Sequence, residues 1–249
     1  MRWSQLLFSQ GFGTRRACEA LVLSGRVRHA GRVVDDPDAE VAPDADFEFE
    51  VEGRAWPYRE RALILLHKPA GYECSQRAGG APSVMNLLPA PLRSRGKGGV
   101  QAVGRLDVDT TGALLLTDDG PLLHRLTSPR HHVPKVYEVT ARHPLDDAQL
   151  ERLRAGVVLD DDPQPVRAAA VARTGEASLR LTLTEGKYHQ VKRMIAAVGN
   201  RCVALHRSAI GALALPESLA PGQWRWLGDA ERRLLEAPAS PAKGPAAGA

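Results

Sequence analysis

Cysteine is scarce, and long apolar runs are absent. The three cysteines, Cys18, Cys74 and Cys202, lie far apart and form no CxxC pair, which argues against a metal or redox site and for a reducing cytoplasm. No apolar stretch precedes Arg15 and Arg16 that could serve as a secretory signal, and no segment approaches the length of a membrane span. Strong net charge is missing too. A formal charge of +4 and a pI near 9.1 permit a nucleic-acid partner without requiring one. What remains is ordinary for a soluble globular protein, with 43% hydrophobic and 25% charged residues, and 249 residues suffice for one large domain and a small one.

Charge of one sign is missing locally. Residues 1–34 carry Arg2, Arg15, Arg16, Arg26, Arg28 and Arg32 against the single acid Glu19, whereas residues 35–52 carry acids and no base. The basic part reads as a helix from Trp3 to Gln10, a break at Gly11-Phe12-Gly13, and a second helix opened by Thr14 and closed by Gly25. Short strands follow around Val27 and Val33, turning at Ala30-Gly31, with another near Phe47 to Val51. Two short helices and a hairpin bearing arginines suit a unit that grips a phosphate backbone; such contacts dock an RNA without reading its bases. The alternative is an arginine-rich solvated surface. Gly25-Arg26-Val27 and Ala30-Gly31-Arg32-Val33-Val34 resemble the signature of the alpha-L RNA-binding motif, first described in a ribosomal protein of the S4 type. This sets a first unit at residues 1–54 and, from Gly53 and Pro57, a linker at residues 55–62.

The centre of the chain is Gly104-Arg105-Leu106-Asp107-Val108-Asp109-Thr110-Thr111-Gly112, followed by the apolar run Ala113 to Leu116. Two carboxylates and a guanidinium between two glycines suit a loop whose backbone takes positive φ or approaches a ligand closely, backed by a strand. Either an acidic turn or a catalytic loop fits, and the spacing does not choose between Asp107 and Asp109.

Elsewhere, Leu63 to Leu66 runs as a strand into the turn Pro69-Ala70-Gly71, and Gly79-Gly80 and Arg93 to Gly99 read as exposed loops, the second basic. Pro121 to Thr127 is a short helix stopped by Pro129. His124, His131 and His132 match neither HxxxH nor HExxH, so no metal is expected and they are read as packing or RNA-contact residues. Val136 to Thr140 alternates as a strand with Tyr137, Val139 and Ala141 on one face. Asp146 or Asp147 caps a helix ending at Gly156, Leu159 to Arg167 is a loop, and Leu179, Leu181 and Leu183 mark another strand. Val191, Met194, Ile195 and Val198 form the apolar face of a helix stopped by Gly199, leaving His189, Lys192 and Arg193 on its other face. These elements predict an α+β domain over residues 63–236 with a central mixed or antiparallel sheet, and the Ala, Pro and Gly composition predicts a disordered tail at 237–249.

Four motifs now fall into order: His67-Lys68-Pro69-Ala70-Gly71, Gly104-Arg105-Leu106-Asp107 with Thr110-Thr111-Gly112, Lys135-Val136-Tyr137-Glu138-Val139, and Glu185-Gly186-Lys187-Tyr188-His189-Gln190-Val191-Lys192-Arg193-Met194. Together they resemble the pseudouridine synthases. Tyr188 to Met194, Thr127 to His132 and Val198-Gly199-Asn200 resemble the RsuA-type branch, which acts on 16S rRNA of the small ribosomal subunit. Ala113 stands where that family commonly has leucine, and the tail has no counterpart. The resemblance implies an isomerase that needs one nucleophilic carboxylate and no cofactor, with Asp107 as nucleophile, Lys192 as its basic partner and Tyr137 stacked on the target base. Leu183 would wall the pocket, Arg105 and Arg193 would take places in the cleft, and Arg15, Arg16 and Arg26 would hold RNA. Asp109 is assigned to loop structure or hydrogen bonding. The implied partner is 16S rRNA in a small-subunit assembly intermediate, met in the cytoplasm by a monomer with no membrane association. A target in 23S rRNA or tRNA, a non-catalytic assembly factor, and a hydrolase using Asp107 and Asp109 as a pair are the rivals; residues two apart in one loop serve the last poorly.

Overall fold

Local caps set the first helices. In the computed structural model, which describes residues 1–77, 79–96, 98–160 and 162–236, α1 (Trp3–Gln10) ends at Gly11 in the left-handed region, and α2 (Arg15–Leu23) begins where the Thr14 hydroxyl accepts the Ala17 N–H at 3.2 Å. The strands β1 (Val27–His29), β2 (Arg32–Val34), β3 (Glu48–Val51) and β4 (Arg54–Pro57) form an antiparallel sheet in the order β2-β1-β3-β4. Here the linker expected at 55–62 is corrected. Trp56 lies opposite Phe49 in the β3–β4 register and is buried with it, so the gain from burying two aromatic side chains makes 54–57 a strand of the first unit.

The rest of the chain runs β5 (Leu63–Lys68), α3 (Ala90–Ser94), β6 (Gln101–Ala102), β7 (Thr111–Thr117), α4 (Gly120–Thr127), β8 (Lys135–Ala141) and α5 (Asp147–Ala155). It continues through β9 (Val157–Leu159), β10 (Asp162–Val166), β11 (Ala170–Gly175), β12 (Ser178–Leu183), α6 (Gln190–Ala197), β13 (Cys202–Ile210), β14 (Leu213–Ala214), β15 (Trp224–Trp226) and α7 (Asp229–Glu236). The main sheet has the order β11-β12-β8-β13-β7-β5-β15, with β14 beside β13 and β6 beside β7. Its pairs are antiparallel except β7 with β13, which makes the sheet mixed and the fold α+β. The expected tail at 237–249 falls outside the described residues.

One element departs from the sequence reading, and another has no counterpart in it. The stretch read as a loop at 159–167 contains β10, which pairs with β9 as a hairpin despite its prolines; an edge strand tolerates the missing N–H groups. The central strand β13 carries His206, Arg207 and Ser208 among its apolar residues, and that mixture hides its period of two.

Three apolar clusters hold the layers. Leu63, Leu65, Ala113 and Leu115 on one face of β5 and β7 pack with Leu122 and Leu126 of α4 and Leu235 of α7. Ile64, Leu66, Leu114 and Leu116 on the other face share a cluster with Trp3, Leu6 and Leu7 of α1. The third cluster joins Leu179, Leu181 and Leu183 of β12 to Leu150 and Leu153 of α5 and to Val191, Met194 and Ile195 of α6. The first unit is therefore continuous with the main sheet through its core.

A buried arginine reinforces that joint. The stretch from Arg93 to Gly99, expected to be an exposed basic loop, places Arg95 at 1% exposure. Its Nε donates to Asp118 Oδ2 at 2.8 Å, Nη1 donates to Gln10 Oε1 at 2.6 Å, and Nη2 donates to the Arg59 carbonyl. One guanidinium thus links α1, the connection after β4 and the turn after β7, and its fork gives the Asp118 carboxylate its cation while sharing the Gln10 and Arg59 oxygens with other donors. Gly11 lets α1 approach this closely, since a Cβ there would sit 2.1 Å from the Pro91 carbonyl oxygen. Replacing Arg95 with Ala leaves the largely buried Asp118 carboxylate without its cation, and the expected loss is about 3–5 kcal/mol, read by urea denaturation. Arg95→Lys, which cannot span the fork, should recover little of it.

Candidate active site

The loop between the two glycines is built as a rigid platform. Gly104 and Gly112 both take positive φ, 72° and 110°. At Gly112 a Cβ would lie 2.3 Å from the Arg207 carbonyl oxygen, so β7 and β13 meet there only because the side chain is a hydrogen. Their parallel register spans two pairs, His206 with Thr111 and Arg207 with Gly112, so the loop ends directly over β13.

Lys68 holds the loop from beneath. Its Nζ is fully buried and donates to the carbonyls of Pro69, Val108 and Thr110 at 3.0, 3.2 and 2.8 Å, while the Gly71 N–H donates to Val108 O at 2.8 Å. Burial lowers the Lys68 pKa, and the nearby Asp109 and Asp107 work against that shift. Lys68 was noted from sequence only as part of the His67 to Gly71 motif and given no role; its place at the end of the strand, after four apolar residues and a histidine, was the available signal.

Above the loop sits α6. Lys192 Nζ lies 3.1 Å from Asp107 Oδ2 and 2.5 Å from Asp109 Oδ1, and His189 Nε2 lies 3.3 Å from Asp107 Oδ1. Asp107 and Lys192 are each 25% exposed, whereas Asp109 is 72% exposed. The Lys192 hydrogen bond pulls the Asp109 pKa down despite some burial. Burial works to lower the Lys192 pKa, but the bonds from Asp109 and Asp107 outweigh it and the net shift is upward. The ammonium therefore stays charged between two carboxylates.

Tyr137 stands one strand further on. It is opposite Arg207 in the β8–β13 register, so Gly112, Arg207 and Tyr137 form one row across three strands, about 10 Å from end to end. Tyr137 packs against the cluster under α6; Leu183, buried in that cluster, lies opposite Lys135 on the neighbouring strand. Arg207 is 3% exposed, its Nε donates to Ala113 O at 2.7 Å, and its Nη2 has no hydrogen-bond partner among the described residues. Burial first, then the Arg207 charge, pushes Lys135 down to about 8. Neither Arg207 nor Lys135 was given a role from sequence: Lys135 appeared only within a motif, and Arg207 sits in a strand whose face pairing reveals.

The other expected residues are dispersed. Arg105 is exposed on the loop, and Arg193 donates from Nη1 to the Tyr188 carbonyl at 3.1 Å, bracing the turn into α6. Arg15 and Arg16 are exposed at the start of α2, with the Arg15 guanidinium 5.5 Å from the Phe8 ring centroid. Arg26 pairs with Glu52 at 2.9 Å. None of these three contacts the Asp107 loop. Among the described residues no group of three or more His, Cys, Asp or Glu could hold a metal, and no helix is long and apolar enough to cross a membrane.

A carboxylate paired with a lysine and an imidazole, beside buried cations and a strand tyrosine, is an arrangement suited to an enzyme. Residues 62–197 match the RNA pseudouridylate synthase family. The chain is 41% identical over 96% of its length to the ribosomal small subunit pseudouridine synthase A of Yersinia pestis, covering 99% of that protein. The protein of the same name from Escherichia coli is 39% identical over 90% of this chain and 95% of its own. A crystal structure of a pseudouridylate synthase superposes with a TM-score of 0.67 at 33% identity, covering 94% of this chain and 99% of that one. The chain belongs to the RNA pseudouridylate synthase family, whose members isomerise uridine in RNA.

The lowered Lys135 pKa carries a stability prediction. Its folded value of about 8 lies below the ordinary 10.5, so between these the unfolded chain binds more protons and stability from this group rises with pH; below about 8 the penalty is complete. Lys135→Met should raise Tm at pH 7, and calorimetry should show the gain shrinking as pH climbs from 8 towards 10.5.

Proposed function

We propose that this protein converts a uridine of 16S rRNA to pseudouridine. The observation that carries the reading is Asp107 on its glycine-bounded loop, held between Lys192 and His189. The names of the relatives support the small-subunit target. The reaction breaks the N1–C1′ bond, turns the uracil and forms a C5–C1′ bond; N1 gains a proton and C5 loses one, so the product is an isomer and no cofactor is consumed.

Asp107 supplies the nucleophile, at C1′ or at C6 of the base. Lys192, with Nζ 3.1 Å from Asp107 Oδ2, is its cationic partner. Tyr137 stacks on the uracil and takes part in proton transfer at C5, with Leu183 as the aliphatic wall beneath. The target base leaves its stack at a cost of about a few kcal/mol, less where the RNA is already open. Arg105 and Arg193 contact the RNA beside the cleft, and residues 1–57, an alpha-L type unit, dock it through Arg15, Arg16 and Arg26. A partly assembled small subunit in the cytoplasm offers such open RNA, and one copy of the chain carries every residue the reaction needs.

Tritium release from uridine-labelled 16S rRNA, in assembly intermediates and alone, tests this against 23S rRNA and tRNA. Release from 16S material is expected, with Asp107→Asn lowering it by a factor of at least about 10³. Release from 23S rRNA or tRNA alone would move the target; tight, salt-dependent binding with no release from any RNA would favour an assembly factor.

A further inference from the structure

One aromatic side chain near the nucleophile is left in solvent. Tyr188 is 70% exposed, yet its ring stacks on the His189 imidazole with centroids 3.8 Å apart and planes at 20°. The same imidazole reaches Asp107 Oδ1 at 3.3 Å through Nε2. Nucleophile, imidazole and phenol thus stand in series, and the outer face of the phenol ring is open.

The arrangement is held in place. His189 has φ 49° and ψ 30°, a left-handed conformation that side chains other than glycine adopt infrequently and that turns its ring back beneath Tyr188. Gln190, itself buried, accepts the Lys187 N–H at 2.7 Å and donates to Glu185 Oε1 at 3.0 Å, while Arg193 donates to the Tyr188 carbonyl. A turn tied at three points presents a tyrosine to water, although neither its conformation nor its backing follows from local propensity. Burying the open face of such a ring against a flat partner is favourable, and a nucleobase offers that partner whatever its identity.

We propose that Tyr188, backed by His189, is the stacking platform for the nucleotide adjacent to the uridine in the active site. It is a positioning residue: a base seated on the phenol holds the strand in register while its neighbour is extruded towards Asp107. Stacking of this kind tolerates any base, so the platform fixes the splayed strand and leaves sequence choice to other contacts. The inference rests on the RNA-isomerase reading above, and its test is arranged to fail separately.

The probes are two RNA heptamers with a single uridine, carrying 2-aminopurine immediately 5′ or immediately 3′ of it. Full-length wild-type protein is expected to quench one of the two on binding; Tyr188→Ala abolishes that quenching and weakens binding about 5- to 100-fold, whereas Tyr188→Phe retains both. In parallel, Tyr188→Ala should raise the concentration of 16S rRNA giving half-maximal pseudouridine formation by a similar factor, and Tyr188→Phe should restore it. Quenching that is equal in wild type and Tyr188→Ala, or absent from both, overturns the platform. Quenching that depends on Tyr188 without any pseudouridine formation sustains the platform and overturns the isomerase reading.

Discussion

The structure depends on one close approach, that of β7 to β13 at Gly112. This parallel pair joins the part of the sheet that packs against the N-terminal unit to the part covered by α5 and α6. Any side chain larger than hydrogen would drive β7 off the Arg207 backbone. Because the pairing is short and tight, the loop before it ends above β13, and α6 can reach down to it. Asp107, Lys192 and Tyr137 are contributed by three separate elements, and the joint is what brings them together.

Around that joint the charges form layers. Lys68 sits beneath the loop and spends its hydrogen bonds on backbone carbonyls, which fixes the loop without neutralising its acids. Lys192 sits above and bonds both carboxylates. Arg207 and Lys135 lie along the floor towards Tyr137, close enough that the arginine lowers the lysine's proton affinity. Such a cationic floor is costly to an empty protein and favourable to one that receives a polyanion, which fits a family that works on RNA.

The N-terminal unit is tied to this framework more firmly than a spacer would allow. Arg95 bonds Gln10 of α1 and Asp118 at the end of β7, and Trp56 of β4 meets Trp226 of β15 edge to face at 5.5 Å. Exposed arginines at the start of α2 are thereby carried on the same core as the strand that backs the Asp107 loop.

Most of the helices, the hairpin turn at Ala30-Gly31, the backing strand of the loop and the α+β class were legible in the sequence, because caps, glycines and periodicity are local signals. The motifs that carry Asp107, Tyr137 and Lys192 were visible in the sequence as well. Other features were not. Arg95 reads as a solvated base until its partners, 85 residues back and 23 ahead, fold around it. The strand β13 conceals its period beneath polar residues that serve the site, and β4 becomes a strand only when Phe49 offers Trp56 a place to be buried. The sequence by itself determined which groups are present and which short elements carry them. Tertiary structure alone decided which charges are buried, which carboxylate is enclosed and which tyrosine is left open to a partner, since burial and pairing are set by residues distant along the chain.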